Sequence, residues 1–178
     1  MTEFESLNPR TGEVIARHEI ASQEAVNSAV SRATESFKTW GGLKHSERKR
    51  VLLAWKREIS NSAENFAEII ALETGKPIGD ARLEVSIAIA HLGWAAKKAG
   101  YYLKEQRRKP GLLMFNMQAE VHRIPYGVVG VIGPWNYPMF TPMGSIAYAL
   151  AAGNTVIFKP SEYTPKIGKL LAELFSTV

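Results

Sequence analysis

The sequence predicts an α/β protein, and three observations carry that reading. Apolar residues recur at helical spacing through most of the first hundred positions, short β-branched runs stand at 127–133 and 155–159, and a further helical pattern at 139–152 joins those runs. A hydrophobic fraction of 46% over 178 residues is ample for a buried core, and 14 glycines with 9 prolines leave no room for a collagen-like or low-complexity reading.

The turn NPRTG at 8–12 combines a fixed φ with a permissive glycine, and Val14, Ile15 and Ala16 behind it suit a short strand in an edge hairpin. Ser22 is placed to cap a helix in which Ala25, Val26, Ala29, Val30, Ala33 and Phe37 follow, with Gly41 and Gly42 ending it. A second helix opens at Ser46 with the stripe Val51, Leu52, Trp55 and Ile59, and a third carries Phe66, Ile69, Ile70 and Leu72 up to the stop at Gly75 and Pro77. A long pattern from about 78 to 103 aligns Val85, Ala88, Ile89, Leu92, Ala95, Ala96 and Ala99. Past Pro110 and Gly111 the texture changes, and 112–115 and 120–124 read as the two extended arms of a hairpin.

Strand 127–133, helix 139–152 and strand 155–159 form one βαβ unit, whose right-handed crossover makes the two strands parallel neighbours with their carboxyl ends on one edge. Ligands of open α/β sheets bind at that edge, which singles out 134–138 and 160–162. Two parallel strands leave faces and edges uncovered, so further sheet is expected from elsewhere. A helix at 165–177 closes the chain.

Composition removes several kinds of chemistry. The 178 residues contain no cysteine, which excludes a disulfide framework, a thiolate metal site and a cysteine nucleophile within them. Much of the net charge of +5 sits in Lys97, Lys98, Lys104, Arg107, Arg108 and Lys109, read as a solvated helix end. Beyond Tyr101 and Tyr102 no aromatic platform interleaves with that stretch, so no nucleic acid is expected as a partner. No apolar run is long enough to span a bilayer and the acidic amino terminus is unlike a signal peptide, so the expected location is cytoplasmic, with no membrane partner.

The glycines at 127, 130 and 133 do not make the G-x-G-x-x-G fingerprint, and no phosphate-loop pattern is present. Lys159 and Glu162 flank the turn after the second strand, where a carboxylate accepts from ribose hydroxyls and an ammonium donates to ribose or phosphate oxygens. The gap from Gly133 to Glu162 exceeds the roughly 20 positions of an ordinary dinucleotide unit. The other reading of this pair is a solvated one beside a helix dipole, and residue pattern alone does not separate the two. Asn136, braced by Pro134 and Pro138, is either a rigid amide donor for a developing alkoxide or a turn asparagine bonded to its own backbone.

The segments PYGVVGVIGPWNYP at 125–138 and AAGNTVIFKPSE at 151–162 resemble the NAD(P)-dependent aldehyde dehydrogenase superfamily. The likeness extends from NPRTGE at 8–13 through ETGKP at 73–77 to Pro165. It implies that Asn136 is the side-chain half of an oxyanion hole, that Ile132, Gly133, Pro134 and Trp135 line the cleft of an NAD or NADP cofactor, that Lys159 and Glu162 grip its ribose, and that Ser161 between them belongs to the same cofactor site. Ser161 would tolerate a 2′-phosphate that Glu162 would repel. Tyr137 and Phe140 resemble positions facing an aldehyde tunnel, whereas Ser145 stands where several branches of the superfamily carry a proton-relaying lysine.

The resemblance implies the N-terminal part of the aldehyde dehydrogenase fold in three stretches. These are a helical, N-terminal part of the cofactor-binding domain at 1–109, an oligomerisation-type hairpin at 110–126, and a Rossmann-like part at 127–178. A nucleophilic cysteine, a water-activating glutamate and a pyrophosphate turn are then expected beyond Val178, making this an oxidoreductase portion that is inactive alone and homo-oligomeric through the hairpin in its parent. In isolation it is expected to be marginally stable and prone to associate. The competing expectation is a truncated module that binds and oligomerises without catalysis.

Overall fold

The computed structural model describes residues 3–178. An antiparallel hairpin of β1 (Glu3–Leu7) and β2 (Val14–Glu19) turns through 8–12, with Gly12 at φ +76°, a conformation open to glycine at little cost. Four helices follow: α1 (Gln23–Trp40), α2 (His45–Asn61), α3 (Ala63–Thr74) and α4 (Ile78–Tyr102). The Ser22 hydroxyl accepts from the Ala25 N–H at 3.2 Å, as its cap position predicts. Gly75 ends α3 in the left-handed region at φ +73°.

The βαβ unit forms as expected. After the short strands β3 (Gln106–Arg108) and β4 (Ala119–Val121) of the 103–127 connection, β5 (Val128–Ile132) and β6 (Thr155–Lys159) pair in parallel around α5 (Phe140–Ala151), and α6 (Pro165–Phe175) follows. Helices α1 and α5 both pack on this strand pair, and α2, α3, α4, α5 and α6 share one core centred on Leu52, Ile59, Phe66, Ile70, Leu92, Met143 and Ile167. No further strand joins β5 and β6 among the described residues, so the extra sheet expected from the sequence is not found there. No helix among them is long and apolar enough to cross a membrane.

The stretch between α4 and β5 corrects the sequence reading. Its strands are β3 (Gln106–Arg108) and β4 (Ala119–Val121), while Leu112–Met114 is a turn of 3₁₀ helix. The arm expected at 112–115 is therefore not extended, and part of the basic run expected to end a helix forms the strand instead. Leu112, Leu113 and Phe115 lie open to solvent, so no buried face holds them extended, whereas Arg107 pairs with Glu120 across the ladder at 3.5 Å. Leu72 also leaves the stripe assigned to it and is exposed on α3.

Buried charges fix how the helices meet. Helix α6 has Thr164 at its cap position without a side-chain cap bond, and Glu73 of α3 supplies the acceptor, taking the Lys166 N–H at 3.0 Å and the Ile167 N–H at 3.4 Å. Glu84 of α4 does the same for α5, accepting from the Met139 N–H at 2.9 Å and the Phe140 N–H at 3.1 Å through one oxygen. At the other end of α5, Arg48 Nε donates to the Ala151 carbonyl at 3.3 Å and Trp40 Nε1 to the Leu150 carbonyl at 3.1 Å. Arg48 also donates to the carbonyl of Leu43, which fastens the α1–α2 connection.

Burial pushes the Glu73 carboxyl up to about 7, against the opposing pull of the two N–H bonds and the Lys166 charge. Its value in the fold lies above the ordinary 4.5, so the folded state keeps a proton that the unfolded chain has already released. The stability this contributes is complete below about 4.5 and is lost as pH rises through about 7. Thermal unfolding followed by circular dichroism from about pH 5 to about pH 8 is expected to show a falling midpoint that Glu73→Gln flattens, since the amide oxygen keeps an acceptor without a charge. An equal fall in both proteins would contradict this account.

Candidate functional site

Parallel pairing brings the two loops of interest to one edge. Ile132 sits opposite Lys159 in the ladder, and the Gly133 N–H donates to the Lys159 carbonyl at 3.0 Å, so 134–138 and 160–164 leave the sheet side by side. Gly133 is buried, and a Cβ there would stand 2.9 Å from Cε2 of Phe158, which explains the glycine at this strand end. Ile132 and Trp135 are exposed at the same rim, with Pro134 half-buried between them. Helix α6 approaches closely enough that a Cβ on Gly168 would lie 2.7 Å from the Pro160 ring, so the turn after β6 rests on that helix.

In the second loop, Lys159 Nζ lies 3.4 Å from Glu162 Oε2, both side chains being open to solvent. The buried Ser161 hydroxyl donates to the same carboxylate at 3.5 Å and accepts from the Tyr163 N–H at 3.3 Å. The backbone N–H of Glu162, then Lys159 and Ser161, hold its carboxyl below the usual range, so it is an anion at neutral pH. An exposed carboxylate and ammonium beside an apolar rim offer both acceptor and donor to a polyol or phosphate-bearing ligand.

In the first loop, Asn136 Oδ1 accepts from the Tyr137 N–H at 3.0 Å. This is the bond of the turn-asparagine reading; with the oxygen committed to the backbone, the amide's two N–H donors are left over. The Asn136 backbone carbonyl accepts from Lys76 Nζ at 2.8 Å. Lys76 Nζ also lies 2.6 Å from Glu84 Oε2 and 4.4 Å from the centre of the Tyr137 ring. A groove of about 370 Å³ opens beside Asn136, walled by Leu83, Ile87, Tyr137 and Phe140, with Lys76, Asp80 and Glu84 as its charged lining.

Lys76, Glu84 and Glu73 escaped the sequence reading. For the two acids the signal was available, because Glu84 falls between Ala81 and Val85 on the buried face of α4, and Glu73 continues the turn-by-turn series from Ile69 and Ile70. An acid at a core position of a helix has to meet donors, and here the donors are helix N-termini.

Comparison with known proteins extends the geometry. A model of the aldehyde dehydrogenase family matches residues 1–178. The chain is 38% identical over 169 residues to a malonate-semialdehyde dehydrogenase of Halalkalibacterium halodurans, covering 95% of this chain and 34% of that protein. It therefore spans about a third of the length of the curated relatives it matches. An aldehyde dehydrogenase from Brucella melitensis biovar abortus 2308 superposes with a TM-score of 0.94 at 30% identity, over 99% of this chain and 36% of that one. PnpE in complex with nicotinamide adenine dinucleotide superposes with a TM-score of 0.91 at 33% identity, over 98% of this chain and 35% of that one.

Proposed function

Since the chain belongs to the aldehyde dehydrogenase family, we propose that it serves as the amino-terminal portion of a cytoplasmic oxidoreductase that converts an aldehyde to a carboxylic acid. The observation that carries the reading is the adjacency of the Asn136 and Lys159–Glu162 loops at the carboxyl edge of β5 and β6, locked by the Gly133 to Lys159 hydrogen bond of 3.0 Å. The chain has no cysteine, so the attacking nucleophile comes from outside these 178 residues.

The donor set fits a dinucleotide. Glu162 would accept from ribose hydroxyls, Lys159 would donate to ribose or phosphate oxygens, and Ile132, Gly133, Pro134 and Trp135 would form the apolar side of the cleft. The bound nicotinamide supplies the hydride acceptor. The anionic, exposed Glu162 favours NAD over NADP, because a 2′-phosphate would face it. The free amide N–H groups of Asn136 stabilise the alkoxide that develops on the aldehyde oxygen.

The groove argues for the aldehyde's class. The relative's name denotes an aldehyde bearing a carboxylate, yet the groove's one ammonium is already held by Glu84 and its remaining charge is the acid Asp80. Leu83, Ile87, Tyr137 and Phe140 suit an apolar or aromatic, uncharged aldehyde. The exposed Leu112, Leu113 and Phe115 of the 106–121 hairpin suit a contact between subunits of a homo-oligomer.

In the full-length protein, Asn136→Ala is expected to lower kcat about 100-fold while leaving the KM for the cofactor near its original value. Unchanged turnover would remove Asn136 from the oxyanion site. Glu162→Gln is expected to raise the KM for NAD and narrow the preference over NADP, measured as the ratio of the two kcat/KM values; a ratio that does not move would detach Glu162 from the ribose. For the aldehyde, kcat/KM for benzaldehyde should exceed that for malonate semialdehyde by about tenfold or more, and the opposite order would overturn the neutral-substrate reading.

A further inference from the structure

We propose that the Lys76–Glu84 ion pair is the positioning device of the amide donor, setting where Asn136 presents its N–H groups; the proposal rests on the reading of Asn136 given above. The pair grips the loop at consecutive points. Lys76 Nζ donates to the Asn136 backbone carbonyl at 2.8 Å and stands 4.4 Å from the Tyr137 ring centre, while Glu84 Oε1 takes the N–H groups of Met139 and Phe140 at 2.9 and 3.1 Å. The two halves are joined to each other at 2.6 Å. The Glu84 side chain is fully buried and that of Lys76 is 15% exposed, so water competes little for the bond between them and for the buried Glu84 to Met139 bond, while the Lys76 bond to the Asn136 carbonyl lies at the exposed side.

The anchor is itself anchored. Lys76 follows Gly75, whose carbonyl accepts from Arg10 Nε at 2.9 Å and from its terminal nitrogen at 2.6 Å. Glu84 stands on α4 among Ala81, Val85 and Ala88, all buried. The loop they hold has Oδ1 of Asn136 tied to its own Tyr137 N–H, so the side chain inherits whatever orientation the backbone at 136–137 is given. A shift of the backbone there moves the donor by the same amount, and displacement of a reacting group by about 1 Å costs on the order of 100-fold in rate.

The pair's hydrogen bonds run to the loop backbone, Lys76 Nζ also faces the Tyr137 ring, and the proposal asks neither group to exchange a bond or a proton with the aldehyde; that is a positioning role, and it sets the test. In the full-length protein, Lys76→Met combined with Glu84→Gln removes both charges while an amide oxygen still faces the Met139 and Phe140 N–H groups. This variant is expected to lose about 10- to 100-fold in kcat with the cofactor KM and the thermal midpoint close to their original values. Placed in an Asn136→Ala background it should cost nothing more, because the group it positions is gone. Lys76→Arg, which keeps a cation and N–H donors, should recover most of the turnover.

An undiminished kcat in the charge-free variant, or the same loss with and without Asn136, would overturn the proposal. Failure of the underlying reading shows differently, as an Asn136→Ala protein with its original turnover. If the charge-free variant does not fold, Glu84→Gln alone carries the same comparison: a loss of turnover that vanishes in the Asn136→Ala background supports the pair's role, and turnover equal to that of the unaltered protein overturns it.

Discussion

Two helices of this protein begin against its core, and each start carries a buried N–H group beside a part-buried one. That constraint organises the structure. Helices α5 and α6 follow parallel strands, and their first N–H groups bond to α4 and α3 respectively. Unpaired donors at such depth cost about 1–3 kcal/mol each. The helical layer answers with carboxylates, Glu84 for α5 and Glu73 for α6, and with Arg48 and Trp40 at the far end of α5. The sheet edge and its loops are thus located by polar contacts from a layer formed earlier in the chain.

The turn at 73–77 concentrates this arrangement. Glu73 reaches α6, the helix after the Lys159–Glu162 loop, and Lys76 reaches the Asn136 loop, with Gly75 between them making the left-handed turn that sends the two side chains to different targets. Arg10, from the first hairpin, binds the Gly75 carbonyl, and a Cβ on Gly75 would stand 3.0 Å from Cγ of Pro9. Two sequence segments sixty-odd positions apart, 8–12 and 73–77, are therefore one structural unit, which bonds the Asn136 loop directly and the other loop's following helix.

How much of this could be read from residues alone follows from the range of each interaction. Helical and parallel-strand patterns depend on local spacing, so α1 to α6 and the β5–α5–β6 unit were legible, as was the shared edge for Asn136 and Glu162. The 106–121 hairpin was legible only as a change of texture: its apolar residues at 112–115 imitate a strand, but nothing covers them, and the pairing went to Gln106–Arg108 instead. The buried charges were the hardest, because spacing shows that Glu84 is inside and says nothing of which donors await it 55 positions later.

Asn136 illustrates why two readings of a residue need not compete. The bond between its Oδ1 and the Tyr137 N–H is what any turn asparagine makes, and in a mobile loop it would leave the amide wandering with the backbone. Here the backbone is gripped on one side by Lys76 and on the other by Glu84. A buried ion pair is a poor source of net stability, since desolvating both charges offsets most of their attraction. An apolar pair of similar size would fill the same space, but it has no donor for the Asn136 carbonyl and no acceptor for the Met139 and Phe140 N–H groups. On the proposed reading the charges are best understood through the geometry they impose, which would make a fixed donor of an ordinary turn asparagine.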